Sequence, residues 1–200
     1  MAIEQPLAQF TDRHTLVYER HYPHEIELVF EAVSTGEHLD QWLLPESRVE
    51  RFEGGACAFG WGSPADDPAA TRGTVTVFDP PKTIHYAFVG DTAVKGDASF
   101  MRFDLSPDGD GTRLLLTLHF LPAPDEQPMD YPGGDLPVPG TAWRPGFVGG
   151  YHDFLDDLFT FLRGELDADA KMAAIMQGDH PDAELTDAYR EHIRANCPPE

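Results

Sequence analysis

The side chains best placed to do chemistry in this sequence are large and mostly apolar. Phe59, Trp61, Phe78, Tyr86, Phe88, Met101, Phe103 and Phe120 fall in short alternating segments, and Trp42, Trp143, Tyr151, Phe154 and Leu158 in or beside helical ones. Brought onto one concave surface, residues of this kind line a site for a small hydrophobic molecule, since such sites are mostly apolar with a few placed polar groups. The same residues are also what an ordinary packed core requires.

Polar candidates are fewer. His85, Arg102 and His119 alternate with the apolar positions of their segments and are expected on the outer, solvated face. The nine histidines are scattered and form neither HxxxH nor HExxH, so no metal ligands are assigned. His152 and Asp153, followed one turn later by Asp156 and Asp157, fit the solvated side of a helix better than a cation site. There is no GxSxG, P-loop or GxGxxG. No catalytic residue and no cofactor are assigned. Cys57 lies in an apolar run and reads as a small core residue, whereas Cys197 lies near the C-terminus; a cytosolic chain is not expected to pair them.

Composition narrows the function classes. A net charge of -21 and a pI near 4.5 argue against nucleic acid and anionic membranes, where Lys and Arg must offset phosphate charge. No run reaches the roughly 18 apolar residues of a membrane span. The N-terminus lacks a basic segment followed by an apolar one, so a cytoplasmic protein is expected.

The elements that must position these residues can be read from periodicity. Tyr151, Phe154, Leu155, Leu158, Phe161 and Leu162 make one apolar stripe on a helix spanning 143–163, with Pro145 in its first turn and Gly164 at its stop. Upstream, a first strand (14–21) puts Leu16, Tyr18 and Arg20 on one face. It is followed by a helix after Pro23 and a second short one that Ser34-Thr35-Gly36 caps and Pro45 ends. Strands follow at 47–52, 56–62, 71–78, 82–89, 98–105 and 112–121, separated by turn residues, as an antiparallel meander. Val75 and Val77 are expected on the same face. The Pro/Gly-rich stretch 121–140 reads as a rim or lid carrying Met129, Tyr131 and Leu136. Beyond residue 164 lie two weakly amphipathic helices, expected to pack on their own domain or on a second copy in a homodimer. The chain divides into a main domain (1–163) and a helical extension (164–200).

This order resembles the helix-grip fold of the START and birch-pollen-allergen-like (SRPBCC) superfamily. Residues 23–45, with Phe30, Ala32, Leu39 and Trp42 at matching places, resemble the opening of its heat-shock protein 90 ATPase activator homologue branch. Gly54-Gly55, Asp110-Gly111-Thr112-Arg113-Leu114 and Gly150-Tyr151 resemble three further motifs, with Tyr151 replacing a usual Trp. The resemblance implies an α+β fold: a curved antiparallel sheet of six to seven strands around a long C-terminal helix, with two short helices after the first strand. It also implies a hydrophobic cavity between sheet and helix. Three functions stay open: a binding protein for a small hydrophobic molecule, in a stress-related role; a co-chaperone-like interaction module; and a cavity enzyme of cyclase or hydrolase type.

Overall fold

The computed structural model describes residues 5–60, 71–88, 99–120, 137–177 and 181–198. Strands are β1 (Gln9–Phe10), β2 (Thr15–Tyr22), β3 (Arg48–Val49), β4 (Ala56–Phe59), β5 (Thr71–Asp79), β6 (Thr83–Phe88), β7 (Phe100–Asp108) and β8 (Gly111–His119). Helices are α1 (Ile26–Ser34), α2 (Gly36–Trp42), α3 (Pro145–Leu162), α4 (Ala168–Gln177) and α5 (Ala183–Asn196). The strands form one antiparallel sheet in the order β1-β2-β8-β7-β6-β5-β4-β3, so α1 and α2 carry the chain from one edge to the other and the meander returns to β2. This is the expected helix-grip architecture, with the two-residue edge strand β1 added. No helix among the described residues is long and apolar enough to cross a membrane.

Strand period sets the core. Leu16, Tyr18 and Tyr22 of β2, Met101, Phe103 and Leu105 of β7, and Leu114, Leu116 and Leu118 of β8 are all buried, while their neighbours face outward. The stripe of α3 is laid on this face through Val148, Tyr151, Phe154, Leu155 and Leu158. Tyr18 donates to Val148 O at 2.6 Å and Tyr22 to Leu155 O at 2.9 Å, fastening the helix to β2 at two depths.

One phase expectation fails. A register shift between Val75 and Val77 places Val75 opposite Tyr86 on the inner face, but Val77 opposite His85 on the outer one. Phe78 then returns inward, opposite Ile84 and against Phe30. A bulge adds one residue and inverts the alternation beyond it, which the regular Val-Thr-Val pattern does not announce. Thr35 also does not cap α2 with its side chain; its hydroxyl donates to Glu31 Oε2.

The motifs of the resemblance acquire physical reasons. Gly54 has φ +92°, a left-handed conformation that costs glycine little. Its N–H donates to Val75 O at 2.7 Å, and Gly55 O accepts from Val75 N at 2.8 Å. A Cβ on Gly55 would collide with the carbonyl oxygen of Glu50. Gly55→Ala is therefore expected to cost about 2–4 kcal/mol in urea unfolding, because the β3–β4 turn must shift to admit a methyl group. A loss near zero would mean that the turn can yield. In the second motif, Thr112 is buried and donates to His24 O at 2.7 Å, tying the start of β8 to the approach of α1.

Candidate functional site

In this antiparallel order the C-terminal ends of β4, β6 and β8 lie at one end of the sheet, with the N-terminal end of β2. The first turns of α3 reach the same end, because Phe147 packs on Phe120 just beyond β8. Deep in the grip, Phe103, Tyr86, Ile84 and Leu158 are fully enclosed. Toward the shared end, Phe88 is 8% exposed and Tyr151 9%, and Phe120 and Phe147 are half-buried. Phe120, Phe147 and Tyr151 are in successive ring contact here, and half-buried Phe120 and Phe147 leave part of that cluster accessible.

The predicted aromatics assemble in two groups. Near α1 and α2, Phe59 stands edge-on to Tyr86 at 5.3 Å and to Phe88 at 5.9 Å, while Phe103 meets Tyr86 at 6.4 Å and Trp42 at 6.3 Å. Tyr86 donates to Val33 O and Trp42 Nε1 to Ala32 O, both at 2.9 Å, so the last turn of α1 is held by an aromatic from each side. Along the first turns of α3, Phe120 packs on Trp143 and Phe147, Phe147 on Tyr151, and Tyr151 on Phe154. Met101, between Tyr86 and Leu118 in register, lies on the sheet floor. Phe78 stands apart, beside Phe30 and under Arg51. Trp61 and the expected lid residues Met129, Tyr131 and Leu136 lie outside the described residues.

Phe147 was missed in the sequence. It stands four residues before Tyr151 and continues the stripe Phe147-Tyr151-Phe154-Leu158 by one turn. Pro145-Gly146-Phe147 is the helix's first turn, as the position of Pro145 implies, and the stripe begins there rather than at Tyr151.

Most of the inward phenols and indoles are committed to main-chain oxygens. Besides the bonds already described, Trp143 Nε1 donates to Arg13 O at 2.9 Å. Burial raises the pKa of Tyr18, Tyr22 and Tyr86, so these phenols stay neutral donors to main-chain oxygens. Cys57 is likewise pushed up to about 12 by burial and stays a thiol. His85, Arg102 and His119 are on the outer face as expected, where His85 bonds Thr76, Arg102 pairs with Asp104, and the Phe100 ring lies between the two histidines. Among the described residues no three His, Cys, Asp or Glu side chains gather in a way that could hold a metal ion.

A second polar group lies on the other side of α3, and here an expectation is overturned. His152 is not solvated: it is 2% exposed, covered by α5, and its Nδ1 lies 2.9 Å from the hydroxyl of Tyr189. Burial, and then the nearby charge of Arg20, lower its pKa to about 4. Asp157 also turns inward, 3.2 Å from Lys171 of α4. The tail thus packs on its own chain and covers what α3 alone presents as a polar side.

A family model described as activator of Hsp90 ATPase homolog 1-like protein matches residues 23–133, from the approach to α1 through β8. The chain belongs to this family. No curated protein matches it. Among solved structures, CalU16 from Micromonospora echinospora is similar over 98% of this chain and 100% of its own, with 18% identity and a TM-score of 0.59. MLL2253 from Mesorhizobium loti is 22% identical over 76% of this chain and 98% of its own, with a TM-score of 0.54. DynU16, a protein of the dynemicin biosynthetic locus, is 16% identical over 78% of this chain and 49% of its own, with a TM-score of 0.52. At these identities the likeness is one of fold. The coverage of CalU16 shows that its likeness to this activator-homologue chain extends into the tail.

Proposed function

We propose that this member of the activator-homologue family binds a small hydrophobic molecule between the inner face of the sheet and α3. The observation that carries the reading is the gradient of accessibility along one aromatic surface. Rings are sealed at depth, nearly sealed at Phe88 and Tyr151, and reachable at half-buried Phe120 and Phe147. In this reading those four form the entrance with Trp143. Phe59, Met101, Phe154 and Leu158 form the floor, and Trp42, Tyr86 and Phe103 the far wall. Phe78, beside Phe30 and Arg51, stands outside this set, and Trp61 lies outside the described residues. Because the phenols of Tyr18, Tyr22 and Tyr86 and the indoles of Trp42 and Trp143 already donate to main-chain oxygens, recognition rests mainly on apolar area and ring faces. That supports binding over acid–base catalysis.

The test is native mass spectrometry of the purified protein, then a thermal-shift screen with fatty acids, sterols, flavonoids and aromatic acids. A ligand at about 100 times its Kd stabilises by about 2.7 kcal/mol, so a hit gives a concentration-dependent shift. Phe147→Ala should weaken that hit about tenfold or more, since truncating a ring at the entrance removes on the order of 2 kcal/mol of apolar contact. A clean apo mass with no shift across the screen would sink the reading and favour the interaction module. The same spectrum reports monomer or dimer.

A further inference from the structure

The contact of α5 with the rest of the chain is a polar relay. The main-chain N–H of Ala8 donates to the hydroxyl of Tyr189 at 3.1 Å, and that hydroxyl lies 2.9 Å from His152 Nδ1. Ala8 O meets His192 Nε2 at 2.7 Å. Both polar groups of this residue, which directly precedes β1, are therefore held by side chains of α5. The pairing of β1 with β2 is short, Gln9 with Val17 and Phe10 with Leu16, and the segment is further held by the Phe10 ring on Trp143 and His192 and by Arg20 Nη1 on Pro6 O.

With His152 neutral and its hydrogen on Nε2, the Tyr189 hydroxyl accepts from Ala8 and gives its own proton to Nδ1. A proton on Nδ1 would turn that acceptor into a donor, and the Tyr189 hydroxyl hydrogen would have to leave His152 for the Tyr18 hydroxyl, which already donates to Val148 O, so the relay as it stands would be lost. The surrounding charges do not favour the cation. From β2, Arg20 is 3% exposed, its Nη1 donates to Pro6 O and Glu19 O, and its Nε and Nη2 have no hydrogen-bond partner. Tyr18 of β2 and Tyr189 of α5 are neutral phenols whose pKa burial raises. On α3 itself Asp153 faces the same cluster, and half-exposed Asp156 lies 3.8 Å from Nε2 and 3.9 Å from the Arg20 Nε. Half-exposed Asp156 would then be shared between two buried cations, with Asp153 the other carboxylate facing them.

We propose that α5 is an acid-released latch: protonation of His152 breaks the Ala8–Tyr189–His152 relay and frees α5 together with the N-terminal strand, while the sheet from β2 to β8 stays folded around α3. A histidine at about 4 when covered and near its ordinary value of about 6.5 when exposed favours the released form by about 30-fold at about pH 5 relative to neutral pH.

The test is hydrogen-exchange mass spectrometry of the full chain at about pH 7.5 and about pH 5, corrected for intrinsic exchange. The expected result is that protection of residues 183–196 and of the segment around Ala8 falls about 30-fold on acidification, while that of β7 and β8 does not. His152→Gln, which keeps an acceptor for Tyr189 and cannot titrate, should abolish the fall; His192→Gln should leave it. NMR of the unaltered protein makes the test independent of any variant, because the His152 ring should titrate with the same midpoint as tail release. The proposal is overturned by a tail that stays protected at the lower pH, by a sheet that opens in step with it, by an undiminished fall in His152→Gln, by loss of the fall in His192→Gln, or by separate midpoints.

Discussion

Trp42→Ala is expected to remove about 3–5 kcal/mol of folding stability, enough to consume a large share of what a domain this size has. Trp42 is fully enclosed and joins three parts of the molecule. Its ring packs edge-on against Phe103 of β7, its Nε1–H donates to Ala32 O at the end of α1, and its carbonyl accepts from Lys171 of α4. Truncation leaves a cavity between a sheet and two helices that cannot collapse far, and it leaves Ala32 O without its donor. Trp42→Phe keeps most of the volume and loses the N–H, so about half that loss is expected. Urea unfolding followed by circular dichroism separates the two. Equal losses from both variants would mean that the hydrogen bond dominates, and a loss below about 1 kcal/mol from the alanine would mean that the site repacks.

Lys171→Ala should be of similar size, about 3–5 kcal/mol, through a different mechanism. The side chain is 6% exposed, its ammonium lies 3.2 Å from Asp157 and 4.7 Å from the centre of the Phe154 ring, and it donates to the carbonyls of Trp42 and Leu43 at the end of α2. Removing it leaves Asp157 as a partly buried anion and uncaps the last carbonyls of α2, where a cation is favoured. Replacing the pair with Met and Leu should recover most of the loss, since a well-packed apolar pair is often as stable as a buried ion pair. Failure of the double variant to recover would show that capping of α2, not the ion pair, carries the effect. Either way the tail contributes to the stability of the grip, which makes an independently folding unit of residues 1–163 a testable proposal: a chain ending there should unfold at lower urea.

The pH dependence of stability has a definite sign. Burial, the largest cause, lowers the Lys171 pKa against the opposing pull of Asp157, and burial and Arg20 lower that of His152. A cation-forming group whose pKa is lower folded than unfolded destabilises the fold as pH falls through that window. For His152 the window runs from about 6.5 down to about 4. Carboxylates act in the same direction at lower pH: Glu19 is held down by Arg113 and Glu31 by Arg51, both through hydrogen-bonded ion pairs. Stability should therefore fall steadily from neutral pH toward pH 4, and His152→Gln should flatten the upper part of that fall. An unchanged slope in the variant would count against the His152 assignment.

Much of the fold was legible because burial repeats with the period of the element. Met101, Phe103 and Leu105, or Leu114, Leu116 and Leu118, declare their common face without reference to any partner. The long helix declares its stripe from Tyr151 to Leu158 in the same way. The twin glycines could be noticed as a motif, but only the turn explains them, with Gly54 left-handed and Gly55 against the Glu50 carbonyl. The proposed ligand surface was legible as a set of large side chains. Its division into an enclosed depth and a reachable entrance was not, because accessibility depends on which strand ends coincide.

Composition, charge and period, then, determined by themselves an acidic chain with an antiparallel meander and one long helix whose apolar stripe packs on it; the grip itself was what the resemblance implied. Each of these is a property of residues close in sequence. The tertiary structure alone decided that His152 is covered, that Lys171 reaches the end of α2, that Arg20 on the buried face of β2 sits beside Asp156, and that a bulge sends Val77 outward. Period tells which side of an element is polar. It carries no information about a second element, from far along the chain, that later packs on that side and removes the water.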